Sequence, residues 1–386
     1  MQRILIFIIF LSCCRLYAQT LTGRVYDNDT KQPISNVHVY LDGTAINTMT
    51  DKTGVFRLEV KQAINTKLVL RHLSYSTMII ENPFHNLPEQ FFMKEQSNIL
   101  NEVIVEAPRF SREQMLKAFR EQFLGTSQAG KSCKIINEGD ILLWYNTQTK
   151  TLSAYSAQPV EVINEFLGYK VLFTLVDFWV VYSHITLNTE AINQSYFAVL
   201  SSYTDVNQDN RRMKTRRDDT YERSSAFFFK NLTNKTLKEA GFSFYKNGFP
   251  ADYNLCFSTE DTLAQKKLQL ISTLPAELNI INSDDHVGRT VVKYVDNNFV
   301  DQDGNLVTDP NLLDFSKQIL ESKIQSNRRF SVMFRKKQSD IQFSTNSLLV
   351  DQYGNIDQID KVFFSGLLGQ NRAGDMLPLE YEPYNQ

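Results

Sequence analysis

The chain has 386 residues, 42% hydrophobic and 22% charged, which excludes wholesale disorder and predicts two or three domains. Lys and Arg number 41 against 43 Asp and Glu, so the net charge is −2 and no global field exists to hold nucleic acid. Aromatic residues reach 12%, mainly 27 Phe and 17 Tyr, beside only 15 Gly, a balance that suits β-rich packing.

Arg3 charges the N-terminus, an apolar run follows from Ile4 to Ser12, and Ala18 stands before Gln19 as a small cleavage residue. This three-part pattern predicts an export leader over residues 1–18. Its apolar run is shorter than the roughly 20 residues a bilayer span needs. A lipid anchor at Cys13 or Cys14 requires Gly or Ala just before the Cys and Leu three before it. Cys13 follows Ser12 and Phe10; Cys14 follows Cys13 but has Leu11. After cleavage only Cys133 and Cys256 remain, either as one disulfide or as two small buried residues. No later stretch is apolar enough for a transmembrane helix.

From Leu21 onward short alternating runs are punctuated by polar turns. Val37 to Leu41, Val55 to Val60, Leu68 to His72 and Tyr75 to Ile80 read as strands, with Gly43 and Gly54 in the turns. This pattern predicts a β-sandwich. Residues 99–107 follow as a strand, with Val103 and Val105 facing one way and Ile104 the other. It is either the last strand of the sandwich or an edge that pairs with a partner protein.

Ser111 with Gln114 predicts a helix N-terminus, and Met115, Leu116, Phe119 and Phe123 mark its apolar side. Lys134 to Leu200 reads as β-rich, and Val171 to Tyr182 reads as a buried strand or strand pair interrupted by Asp177. A helix is expected from Ser224 to Ala240, ending at Gly241. Strands follow, with turns at Asp303-Gly304-Asn305 and Tyr353-Gly354-Asn355. Asn311 to Gln325 reads as a helix or a polar loop.

Gly23 to Asp27, Pro33 to Val37, Gly43-Thr44, Thr50 to Phe56 and Leu73-Ser74-Tyr75 resemble the carboxypeptidase-regulatory-like domain. That resemblance implies a transthyretin-like sandwich of the kind found at the front of Bacteroidota outer-membrane proteins. Ser74-Tyr75 departs from the usual Gly-Tyr. Ile99 to Ala107 resembles the run that links this domain to the plug of TonB-dependent transporters, although too few residues follow for a plug and a large barrel. Phe123 to Gly125, Cys133 to Asn137, Leu167 to Lys170, Tyr221 to Ser224 with Phe228, Gly241-Phe242 and Arg372 to Tyr381 resemble exported Bacteroidota proteins with the same front domain and no assigned activity.

Several motifs invite a chemical reading. Gly125 to Ser132 matches GxxxxGK[ST] by letter, yet phosphate binding requires a strand before the loop and a helix after it. Here a helix precedes and a strand follows. The five histidines, His38, His72, His85, His184 and His286, form no HExxH or HxxE pattern for zinc. No GxSxG marks a nucleophile. Asp284-Asp285 before His286 reads as a solvated turn, and Asp301 to Asn305 as a hairpin turn, because Phe299 and Pro310 occupy the ends a calcium loop would need. Arg211 to Arg217 reads as a solvated basic loop, with Arg328-Arg329 and Arg335 to Lys337 as a second cluster, able to meet lipopolysaccharide phosphates or an acidic partner. Asp261-Thr262-Leu263 fits a short O-glycosylation sequon.

The expected fold class is mainly β with some α. A leader spans 1–18, a seven-strand sandwich of the transthyretin type 19–98, a linker strand 99–110, and a larger mixed α+β domain 111–386. No catalytic, metal or cofactor residues are assigned. The expected function is a non-catalytic binding or scaffold component of the periplasm or outer-membrane periphery, with a protein partner and no nucleic acid. The alternative is an envelope hydrolase whose site has no sequence motif.

Overall fold

The structure, a computed structural model, describes residues 19–96, 109–207, 210–262, 265–271, 278–282, 290–295 and 298–384. The expected leader, the strand holding Val103, Ile104 and Val105, and the Asp284-Asp285-His286 run lie outside the described residues. The chain forms two compact units: residues up to Ser224 together with the segment from Asn371, and Ser225–Gln370. The single domain expected over 111–386 is therefore divided, because the chain builds a separate phenylalanine-rich core after Ser224 and then returns.

The first unit opens with seven strands: β1 (Gln19–Asp27), β2 (His38–Leu41), β3 (Asn47–Met49), β4 (Val55–Val60), β5 (Leu68–His72), β6 (Tyr75–Ile80) and β7 (Gln90–Met93). They make one sheet in the order β4-β1-β7 and another in the order β3-β2-β5-β6. Alternation decides what each face does. Val39, Leu41, Leu68 and Leu70 turn inward onto Val25, Phe56, Leu58 and Phe91. The other face of the second sheet carries two cross-strand pairs, His38 with Arg71 and Tyr40 with Val69.

Helices α1 (Arg112–Phe123) and α2 (Gln128–Lys131) come next, then β8 (Cys133–Ile135), β9 (Leu142–Asn146), β10 (Thr151–Tyr155), β11 (Val160–Asn164), β12 (Tyr169–Tyr182), β13 (Ile192–Asp205) and α3 (Arg211–Tyr221). The expected capping box opens α1: the Ser111 hydroxyl accepts from Gln114 N at 3.2 Å, and Ser111 N donates to Gln114 Oε1 at 2.9 Å. Such a cap is worth about 1 kcal/mol. Phe119 and Phe123 pack on Phe178 and Phe173 of β12, with ring centroids 4.8 and 5.3 Å apart.

The stretch around Asp177 is one strand of 14 residues. Tyr169, Val171, Phe173 and Leu175 face the core, and then Phe178, Val180 and Tyr182 do. The parity changes because the register with β13 shifts between Leu175 and Asp177. One extra residue in a strand swings every later side chain to the other face, and the bulge lets Asp177 stay in water while the apolar set stays buried.

β12 pairs with β13 along its length and on its other side with β11 and then β10, which lead to β8 and β9. The outer face of the β11 half meets the sandwich, where Tyr40, Val69 and Leu200 form a small buried cluster. Gly43 N donates to Ser201 O at 2.8 Å and Tyr203 N to Thr44 O at 2.9 Å, so the sandwich loop closes this end of the β13 edge.

The second unit contains α4 (Ser225–Thr233), β14 (Phe242–Lys246), β15 (Phe249–Pro250), β16 (Phe257–Asp261), β17 (Lys266–Leu270), β18 (Leu278–Asn282), β19 (Thr290–Val295), β20 (Asn298–Val300), α5 (Pro310–Asn327), β21 (Arg329–Phe334), β22 (Lys337–Phe343), β23 (Ser347–Val350) and β24 (Val362–Phe364). Its sheets run β15-β14-β21-β22-β24, β16-β17-β23 and β18-β19-β20. Phe242 stacks on Phe334 at 4.6 Å, and Phe257 lies 5.0 Å from Phe330. The helix expected to reach Ala240 stops at Thr233, and turns carry the chain to Gly241, whose φ is +89°. Asn311 to Gln325 is helical, capped by Asp309. Asp301 and Asp351 each accept backbone N–H groups within their own hairpin turns, with Gly304 and Gly354 at positive φ. Among the described residues no helix is long and apolar enough to cross a membrane.

Candidate functional site

The phosphate-loop lookalike folds as a seat for the chain's own C-terminal segment. Gly125 follows α1 at φ +88°, and Ser127 caps α2, its hydroxyl accepting from Gly130 N at 2.9 Å. Ser127 Oγ donates in turn to Asp375 Oδ1 at 2.6 Å, and Gly374 N donates to Leu124 O at 3.1 Å. A Cβ on Gly130 would lie 2.4 Å from Leu124 O, and one on Gly374 2.6 Å from Gly130 Cα. The glycines are there so that two backbones can touch, and the N–H groups of Gly130, Lys131 and Ser132 donate within the loop itself. Lys131 is exposed. Calorimetry with ATP and magnesium is expected to show no heat, and Lys131→Ala to change nothing; micromolar binding lost in that variant would contradict this.

The basic run from Arg211 is a helix rather than the expected solvated loop, with Arg217 buried. Its guanidinium donates to both Asp205 oxygens at 2.7 and 2.9 Å and to Leu167 O and Gly168 O, and lies 4.0 Å from the centre of the Tyr169 ring. Arg216 donates to Phe166 O at 3.2 Å. A buried guanidinium needs a carboxylate and carbonyls; the end of β13 supplies the first and the turn after β11 the second. In the second cluster Arg329 pairs with Asp340 at 3.4 Å, and Arg335 and Lys336 form the β21–β22 turn at positive φ.

Cys133 and Cys256 are both free thiols, so the bridge weighed for them is not formed in the structure. Each sits in its own unit; Cys133 Sγ donates to Ala129 O at 3.3 Å, and burial pushes its thiol up to about 12. Among the described residues no group of three or more His, Cys, Asp or Glu is placed to hold a metal.

Two surfaces of the first unit gather functional chemistry. The first is a cleft of about 200 Å³ where the sandwich meets β12 and β13, lined by His38, Tyr40, Arg71, His72, Gln158 and Thr174 among others. Its volume is below the roughly 300–1,000 Å³ of a pocket for a drug-sized ligand. The second is the outer face of the same sheet beyond the sandwich. Cross-strand register sets Trp144 opposite Ser153, Ser153 opposite Trp179, and Trp179 opposite Tyr196. Trp179 and Tyr196 stack at 5.5 Å with ring planes 28° apart. Leu142, Tyr155 and Val176 flank this row, with exposures of 54, 47 and 61%. Both tryptophans of the chain lie on this one face. Sequence reasoning missed it, because each aromatic is a lone outward residue on its own strand.

Where the sandwich loop meets the C-terminal segment, two carboxyls are held out of water. Burial raises Asp42 to about 6, although its Oδ1 accepts from Ser201 N at 2.7 Å and Lys67 draws it down. Burial also raises Glu380, whose Oε1 accepts from Ala45 N at 2.7 Å while its Oε2 has no partner among the described residues. Both groups ionise at higher pH in the folded chain than unfolded, so their stabilising contribution is whole below the ordinary carboxylate value and is lost as pH rises through the raised value, about 6 for Asp42. His38, lowered by burial, acts in the opposite direction over the same range. The clean readout is therefore a difference. Between about pH 5 and about pH 7.5, Asp42→Asn is expected to gain in melting temperature relative to the unsubstituted chain. Parallel pH curves for the two proteins would contradict this.

Residues 21–105 match the family model of the CarboxypepD_reg-like domain, a non-catalytic β-sandwich type. Among curated proteins, none matches the chain.

Proposed function

We propose that the protein is a non-catalytic component of the cell envelope that binds a protein partner on the bare aromatic face of the sheet formed by β8 to β13. The row Trp144, Ser153, Trp179 and Tyr196 carries this reading. Cores of protein interfaces are enriched in Trp and Tyr and depleted of charge, and a few such residues supply most of the binding energy. The four residues of the row are uncharged. Each ring presents a rigid apolar plane that loses little conformational freedom on binding. Along Ile192 to Val199 the outer edge of β13 pairs with no other strand among the described residues, so a partner strand can be added beside the same face. The leader-like N-terminus and the front domain support placement in the periplasm or at the outer membrane.

The test combines Trp144→Ser, Trp179→Ser and Tyr196→Ser in one protein. These side chains face away from the core, so circular dichroism and melting temperature are expected to change little. The partner recovered by chemical cross-linking of intact envelopes with the unsubstituted chain is expected to lose at least about 30-fold in affinity, the effect of losing a single interface hot spot of about 2 kcal/mol. A folded triple variant that keeps its cross-linked partner would refute the reading.

A further inference from the structure

The cleft beside the sandwich contains an arginine without a carboxylate. Arg71 is half-buried and donates through one terminal nitrogen to Ala157 O at 3.2 Å and to Gln158 Oε1 at 3.3 Å. Both acceptors are neutral, and none of the residues lining the cleft is Asp or Glu. A guanidinium has five N–H donors, so this arrangement leaves donors to spare. Its cross-strand partner on the same sheet face is His38. His72 follows Arg71 directly, where the pairing of β5 with β6 shifts register between Leu70 and His72. Shifts of this kind re-aim side chains and recur beside binding sites. His72 Nδ1 accepts from Ser74 N at 3.2 Å, so the neutral ring carries its proton on Nε2 and still offers a donor. Tyr40 stacks on His38 at 4.8 Å and closes the inner wall.

A partly desolvated cation normally has its charge matched nearby. Among the described residues no carboxylate in this cleft supplies the match, which leaves room for a bound anion. We infer that the His38–Arg71–His72 cleft is a binding site for a small oxyanion, a sulfate- or phosphate-type group that the guanidinium grips with its free N–H donors while the two imidazoles close around it. The size agrees, since about 200 Å³ suits a tetrahedral oxyanion or a lipid headgroup phosphate rather than a large ligand. The titratable groups facing the site are His38 and Tyr40 from β2, Arg71 and His72 from β5, and Tyr155 from β10. Imidazole is the side chain whose charge changes near neutrality. Burial and the neighbouring Arg71 hold His38 below its ordinary value, and an anion beside the ring favours its charged form. Binding and protonation therefore support each other, and affinity rises as pH falls.

The probe is sulfate, whose charge is constant over the range, titrated into the full chain at fixed ionic strength with chloride. The His38 and His72 ring-proton resonances are expected to shift saturably, with affinity at least about threefold tighter at pH 6 than at pH 7.5. Arg71→Gln is expected to abolish the saturable shift of both rings. His72→Gln, a milder change that leaves the Gln158 tie intact, is expected to weaken binding and reduce its pH dependence. Vesicles of phosphatidylcholine with and without phosphatidic acid separate the sources: Arg71-dependent capture by the acidic vesicles identifies a lipid headgroup, and sulfate binding without capture identifies a soluble oxyanion. Shifts that are linear in sulfate, equal in chloride, or unchanged in both variants would overturn the site and leave Arg71 as a strut to residues 157–158.

Discussion

Replacing Arg217 with alanine is expected to destabilise the first unit by about 3–5 kcal/mol, the cost of removing one partner from a buried pair. The guanidinium is only 4% exposed, and its loss takes two bonds from Asp205, which keeps Asn207 N at 2.9 Å, and removes the donor on Leu167 O, while Gly168 O keeps Val206 N. The Tyr169 ring also loses the plane it packs against. Arg217→Lys keeps the charge but lacks the planar fork that meets both Asp205 oxygens, so an intermediate loss is expected. Urea unfolding followed by circular dichroism measures both. A loss below about 1 kcal/mol for Arg217→Ala, the range of exposed ion pairs, would mean that water satisfies these groups instead.

Gly374→Ala is expected to undock the C-terminal segment. The new Cβ would lie 2.4 Å from Leu124 O and 2.6 Å from Gly130 Cα. Both obstacles are backbone, so no side chain can swing aside. Overpacking of this kind costs about 1–3 kcal/mol. The segment's other attachments then weaken together: Asp375 on Ser127, Gly374 O on Asn164, and Tyr381 on Asp218 at 2.5 Å. Limited proteolysis is expected to cut after Arg372 in the variant and not in the parent. Gly139→Ala is the control, because a Cβ there meets nothing within 4 Å and should leave stability within about 0.5 kcal/mol. Equal protease resistance in all three proteins would contradict the docking argument.

The sandwich is legible in the sequence because strict alternation over four to six residues has one solution when one face must be buried, and Gly43 and Gly54 occupy the turns. The capped helix α1 is legible for a similarly local reason, two side chains three residues apart. The division at Ser224 is not local. It depends on a Phe core assembled from residues between Phe227 and Phe364, and on Asn164 and Ser127 waiting for Gly374 and Asp375. The GxxxxGK pattern misleads for the same reason, since its glycines answer to a segment more than two hundred residues away. His38 and Arg71 are separated by two strands, β3 and β4, and meet only through the β2–β5 register. The aromatic row is the least legible feature. Trp144, Trp179 and Tyr196 belong to three strands, and the shift at Asp177 decides that Trp179 faces outward.

Photo-cross-linking in living cells reads partner binding at the aromatic face residue by residue. A photoreactive phenylalanine analogue is placed at position 144, 179 or 196, and for comparison at Phe363, an exposed apolar residue of the other unit at 61%. The account predicts one discrete heavier adduct from each of the three positions on the sheet face and none from 363. No adduct from the face, or the same adducts from all four positions, would contradict it.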